Sequence, residues 1–109
     1  MKLVIAIVQD DDAADLLDVL TESGFRVTKL ATTGGFLKSG NTTLMIGVEE
    51  EKTDDVLKII EDTCKVREQV VTSPSPMAGS TGVYIPYPVE VEVGGATIFV
   101  VNVDQFIRF

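Results

Sequence analysis

The order of signals along this chain predicts one α+β domain of strand-helix-strand-strand-helix-strand type, with both helices on one face of an antiparallel sheet. Three observations predict it. Two amphipathic stretches, near 10–24 and 53–64, each follow a run of strand character. Short apolar or alternating runs, bounded by glycine, proline or charge, recur at 3–8, 25–32, 42–48, 69–72, 89–93 and 97–103. With 109 residues, 45% of them hydrophobic, the chain suffices for one core and is too short for two domains of ordinary size, so 1–109 reads as one unit. The pattern is the ferredoxin-like one.

Leu3 to Val8 is a six-residue apolar run preceded by one charge and no small-residue cleavage site, so it reads as a buried strand, not a leader or a membrane-inserting segment. Asp10-Asp11-Asp12 then offer N-cap and first-turn carboxylates to a helix with apolar Ala13, Leu16, Leu17 and Leu20. Gly24 is its natural stop. Phe25 to Thr32 is the second strand, Thr33 to Gly40 a glycine-rich turn, and Thr42 to Val48 the third strand. After Glu49-Glu50-Glu51, Thr53 is placed to cap a second helix whose stripe is Val56, Leu57, Ile59, Ile60 and Cys64. Gln69 to Thr72 follows as a short strand. Ser73 to Gly82 is polar, uncharged and rich in breakers, which makes a long exposed loop. Tyr84 to Pro88 reads as an anchor for that loop or as a partner-binding segment. Val89 to Val93 alternates, and Gly94-Gly95 predicts a tight reversal into Thr97 to Val103, a C-terminal β-hairpin.

Leu3 to Val8 and Ile98 to Val101 are apolar at successive positions, so both faces of those strands call for burial while two helices cover one. A second copy of the chain is expected to cover the other face. The competing arrangement folds the proline-rich loop back over the sheet, but that loop is mostly small and polar.

Charge and composition exclude several functions. A net charge of -8 disfavours duplex DNA or long RNA as partners. With no histidine and one cysteine, the usual zinc sites, Ser-His and Cys-His pairs and an internal disulfide are all out of reach, and a reducing cytoplasm is the expected compartment. No arrangement of nucleophile and base suggests an enzyme. The Asp10-Asp11-Asp12 and Glu49-Glu50-Glu51 runs sit where helix N-termini favour carboxylates, so capping is preferred over a hard-metal site. Cys64 lies on an apolar stripe, the place of an inert core residue.

Against this acidic background, Ser23 to Val48 carries Arg26, Lys29 and Lys38 and no Asp or Glu. A stretch kept free of carboxylates suits a small anionic ligand. In an extended strand Arg26 and Thr28 point to the same side, a guanidinium fork beside a hydroxyl, which fits a phosphate. Gly34-Gly35 allow backbone amides to approach an anion closely. Phe36 and Leu37 could sandwich a base, Asn41 offers a donor and an acceptor for an adenine edge, and Gly47 lets a base lie against the strand. The loop has neither Walker nor Rossmann spacing. Each feature also has a plain structural explanation: a turn, a core phenylalanine, a solvated strand face.

The segments Phe25 to Leu37, Gly40 to Thr43 and Tyr87 to Thr97, with the opening Ile7-Val8-Gln9-Asp10, resemble the PII-like cyclic-di-AMP receptor proteins of Gram-positive bacteria along essentially the whole chain. The resemblance implies a PII-like homotrimer with no catalytic activity and no cofactor, binding cyclic-di-AMP in clefts between subunits. By residue-wise match, Arg26, Thr28 and Gly35 would hold phosphate, Phe36 and Leu37 would pack on adenine, and Asn41 with the Gly47 backbone would read its edge. Loops at about 33–41 and 73–85 would be flexible before binding and carry the signal to a downstream protein. Relatives tend to place Gln before the final Phe and Met-Gly-Gly in the long loop. Here Arg108 precedes Phe109 and the loop reads Met77-Ala78-Gly79, so Arg108 is either a phosphate contact or a solvated cation. The alternatives are a PII-type sensor of ATP or ADP, which usually has a longer loop between its second and third strands, and a structural trimer without ligand.

Overall fold

The structure, a computed structural model, describes residues 1–35, 38–73 and 87–109, with side chains described outside 31–39, 71–73, 87 and 89. The elements run β1 (Lys2–Gln9), α1 (Asp10–Glu22), β2 (Val27–Gly35), β3 (Lys38–Val48), a 3-10 turn (Glu50–Lys52), α2 (Thr53–Cys64), β4 (Arg67–Ser73), β5 (Tyr87–Val93) and β6 (Ala96–Asn102). A four-stranded antiparallel sheet has the order β2-β3-β1-β6, and β4 pairs with β5 in a separate two-stranded ribbon. Two helices over one face of this sheet are compatible with the ferredoxin-like arrangement.

Alternation in β1 divides the sheet. Val4, Ala6 and Val8 are buried beneath the helices, where they meet Leu44, Ile46 and Val48 of β3, Leu16 and Leu20 of α1, and Val56, Ile60 and Cys64 of α2. The register places Leu3, Ile5 and Ile7 on the opposite face, beside Gly47, Met45 and Thr43 on one flank and Val101, Phe99 and Thr97 on the other. Phe99 is 54% exposed and Val101 42%, so this second face is apolar and, among the described residues, uncovered. The alternative cover, the loop beyond Ser73, lies outside the described residues.

α1 ends as the sequence requires. Phe25 N–H donates to the Leu20 carbonyl and Gly24 N–H to that of Thr21, with Gly24 at φ +90°, a Schellman motif that only glycine enters without strain. The expected caps are different. Gln9 precedes α1 with no side-chain cap; Asp10 instead accepts from the Thr42 hydroxyl at 2.5 Å, and buried Asp12 pairs with Arg67. Thr53 is the first residue of α2, not its cap, because the 3-10 turn starts the coil earlier and its hydroxyl donates to the Glu49 carbonyl at 3.5 Å.

Two strand assignments are corrected. The turn expected over Thr33 to Gly40 is mostly ladder, since Thr32 pairs with Thr42, Thr33 with Asn41 and Gly35 with Lys38. The β-branched threonines carry both strands past the glycines, and two register shifts absorb the mismatch. The C-terminal hairpin does not form. β5 pairs with β4 and β6 with β1, so Gln69 to Thr72 belongs to the ribbon and β6 closes the main sheet. Gly94 and Gly95 do adopt positive φ, but they form no turn: the Gly94 amide donates to the Gln9 side chain at 2.8 Å and the Gly95 amide to the Cys64 carbonyl. Those bonds replace the ladder that would have joined β5 to β6. Of the anchor segment, Tyr87 and Pro88 open β5, while Tyr84 to Pro86 lie outside the described residues.

Candidate functional site

Arg26 is aimed by its neighbours. Once the Schellman turn releases the chain from α1, Phe25 and Val27 pack against the core, so the intervening Arg26 and the following Thr28 project from the other side, both exposed. Thr28 pairs with Met45 on the uncovered face, and Met45 flanks Ile5. The result is a cleft of about 840 Å³ at the lower end of that face. Its floor is apolar, from Leu3 and Met45. Its size and lining suit a small-molecule ligand.

Three cations from separate parts of the chain line this cleft: Arg26 before β2, Lys52 at the end of the 3-10 turn and Arg108 in the C-terminal segment. Glu49 is the one carboxylate among the described lining residues. None of the three cations has an ion-pair partner among the described residues, where the pairs are Lys2 with Glu50, Lys58 with Asp62 and Arg67 with Asp12. Unpaired cations over an apolar floor can hold an anion that also carries an apolar ring. The acid-free segment itself is divided: Lys29 pairs with buried Leu44 and so lies on the helix side of the sheet, away from Arg26.

Gly47 lines the same cleft, directly across from Leu3. A Cβ built there meets nothing within 4 Å, so the fold of this chain does not require glycine at that position. Mid-strand glycine weakens a strand, and it is commonly found where a ligand or another backbone approaches closely.

The other sequence-predicted residues lie elsewhere. Asn41 sits on the uncovered face six positions from Gly47, about 20 Å along an extended strand, and Gly35 is farther up the same β2–β3 hairpin. Phe36 and Leu37 lie outside the described residues. One chain therefore gathers Arg26, Thr28, Gly47 and Arg108 and leaves Gly35 and Asn41 at the far end of the hairpin. The sequence reading missed Lys52 and the apolar lining residues Met45 and Phe106; their convergence is tertiary, and only the unbroken apolar runs Leu3 to Val8 and Ile98 to Val101 hinted at an apolar face left without cover.

Among the described residues no helix is long and apolar enough to cross a membrane, and no group of three or more His, Cys, Asp or Glu side chains could hold a metal ion. A crystal structure of a functionally unknown protein from Pediococcus pentosaceus ATCC 25745 is similar to this chain at 51% sequence identity and a TM-score of 0.77, over 99% of this chain and 96% of that one. The family model for the cyclic-di-AMP receptor matches residues 1–109. This chain belongs to the cyclic-di-AMP receptor family.

Proposed function

We propose that this protein is a cytoplasmic second-messenger receptor that binds cyclic-di-AMP in clefts between subunits of a homotrimer and does not catalyse a reaction. The observation that carries this reading is Gly47: a strand glycine whose Cβ position is open, facing the same cleft as Arg26 and Thr28. Arg26 and Thr28 would hold a phosphate, Arg108 would add a second positive charge, and an adenine would lie flat against the Gly47 backbone.

The need for more than one copy follows from distance. A compact dinucleotide beside Arg26 does not also reach Asn41 about 20 Å up the strand. In this reading Gly35, Phe36, Leu37 and Asn41 act on the ligand from the hairpin end of a neighbouring copy. Leu3, Ile5, Ile7, Phe99 and Val101 support the same arrangement, because an apolar sheet face of this extent calls for a cover. Binding would order the segments at about 33–41 and 73–85 and so change which protein docks.

The test is an isothermal titration with cyclic-di-AMP beside ATP and cyclic-di-GMP, with the mass in solution measured on the same sample. Selective binding at one ligand per subunit of a trimer is expected. Preference for ATP would move the protein to the PII-type sensors, and no binding by any nucleotide would leave a structural oligomer. Arg26→Ala should weaken binding roughly 10- to 150-fold, the equivalent of one charge-assisted hydrogen bond.

A further inference from the structure

Phe106 stands in the wall of the cleft, two residues before Arg108, with 62% of its surface exposed. Among the described residues it belongs neither to the core nor to the side chains packed on it. What holds it in place is the end of β6: the Val103 amide donates to the Met1 carbonyl, and from there the chain runs without regular secondary structure past the cleft. A phenyl ring left this open contributes little to the fold of the chain that carries it. Its surroundings narrow what would cover it. With Arg26 and Arg108 lining the same cleft and Leu3 and Met45 beneath, the ring belongs to a site that accepts an anion and a flat apolar group together. An apolar side chain from a protein partner would cover the ring and leave both guanidinium groups without a purpose. A nucleotide satisfies all three, because its base has a π-face for the ring and its phosphate an acceptor for the fork.

We infer that Phe106 is a further ligand-binding residue, whose ring packs on a purine base of the nucleotide held through phosphate by Arg26. The inference rests on the receptor reading and extends it to a segment that neither the acid-free stretch nor the glycine-rich hairpin includes. It also gives the C-terminal segment a part in affinity, since Phe106 and Arg108 then engage base and phosphate from one short stretch of chain.

The experiment is isothermal titration of the full chain with cyclic-di-AMP for wild type, Phe106→Ala, Phe106→Leu and Phe106→Tyr, with solution mass and melting temperature measured for each. Loss of a stacked base weakens binding roughly 5- to 150-fold in Phe106→Ala, whereas Phe106→Tyr stays close to wild type and Phe106→Leu falls toward the alanine variant. Mass and melting temperature stay unchanged throughout. Unaltered affinity in Phe106→Ala overturns the inference, as does leucine serving as well as tyrosine, which would reduce the ring to apolar filling. A weaker affinity accompanied by a changed mass overturns it too, by assigning the ring to contact between copies. Should the alanine variant fail to fold, the leucine and tyrosine variants decide between these outcomes. If wild type binds no cyclic-di-AMP, the receptor reading fails first, and that failure is visible before any variant is compared.

Discussion

Arg67 clasps Asp12 through both guanidinium nitrogens, Nη2 to Oδ1 at 2.6 Å and Nη1 to Oδ2 at 3.3 Å, and so ties the first residue of β4 to the first turn of α1. The same guanidinium also donates to the Lys65 carbonyl at 3.2 Å. Because β4 and β5 pair with each other and not with the main sheet, this clasp and the two glycine amide bonds hold the ribbon to the core among the described residues. The two halves of the pair are unequal: the Asp12 side chain is 7% exposed and that of Arg67 43%. Arg67→Ala strands a buried carboxylate, while Asp12→Ala frees a cation that water can solvate. Melting temperature should therefore fall further in Arg67→Ala than in Asp12→Ala, with faster amide exchange in β4 and β5 in both. The reverse order would mean that water already reaches the carboxylate.

Gly94 is fixed by backbone and by space. It lies at φ +87°, and a Cβ there would stand 2.7 Å from the Lys65 carbonyl oxygen and 2.6 Å from Arg67 Nη1. The guanidinium could shift, but the carbonyl belongs to the C-cap of α2 and could not without disturbing the helix end. Left-handed backbone strain and overpacking together should cost roughly 2–4 kcal/mol in Gly94→Ala, measured by urea unfolding. A loss no larger than that of an ordinary surface substitution would show that the ribbon base is loosely held.

How far the sequence could be read is clear from these same residues. Periodicity reports burial, so β1, the apolar stripe of α2 and the glycine stop of α1 were all legible. Alternation in Val89 to Val93 identifies a strand without identifying its partner, and Gly94-Gly95 looks the same whether it closes a hairpin or hands the chain from one sheet to another. The deciding partners, Gln9 and the Cys64 carbonyl, are remote in sequence. The aspartate run after β1 likewise resembled a cap because the ends of its bonds, Thr42 and Arg67, are set by the fold. At the candidate site Arg26, Thr28 and Gly47 could be singled out locally, whereas Lys52 and Phe106 join them only when three chain segments meet.

Burial pushes the Cys64 thiol from 9.0 up to about 11, the Asp12 carboxylate adds to the rise, and Arg67 opposes it. A thiol whose folded pKa lies above its unfolded value stabilises the fold fully below 9.0, and that contribution is lost as pH climbs through about 11. Unfolding free energy should therefore decline across this alkaline window, and Cys64→Ala should decline less steeply although its overall stability is lower. Parallel slopes for the two proteins would assign the decline to other groups. At neutral pH the native thiol should resist alkylation until the protein is unfolded.

Gly47 offers the sharpest separation of ligand binding from folding. Its backbone is ordinary strand, it pairs with Leu3, and nothing in the chain lies within 4 Å of the Cβ it lacks. If stability alone governed this position, alanine would be better by about 0.5–1 kcal/mol, since it restricts the unfolded chain and clashes with nothing. Gly47→Ala should accordingly leave the melting temperature unchanged or slightly raised, while cyclic-di-AMP affinity falls about tenfold or more because the methyl group holds the base off the strand. Gly47→Leu should abolish binding with the fold still intact. Unchanged affinity in both variants would remove the ligand from this face of the sheet, and a fall in solution mass without any nucleotide present would mean that the space receives a second copy of the chain. The three outcomes differ because the cleft floor is shared between what one chain needs to fold and what must approach it from outside, and Gly47 belongs only to the second.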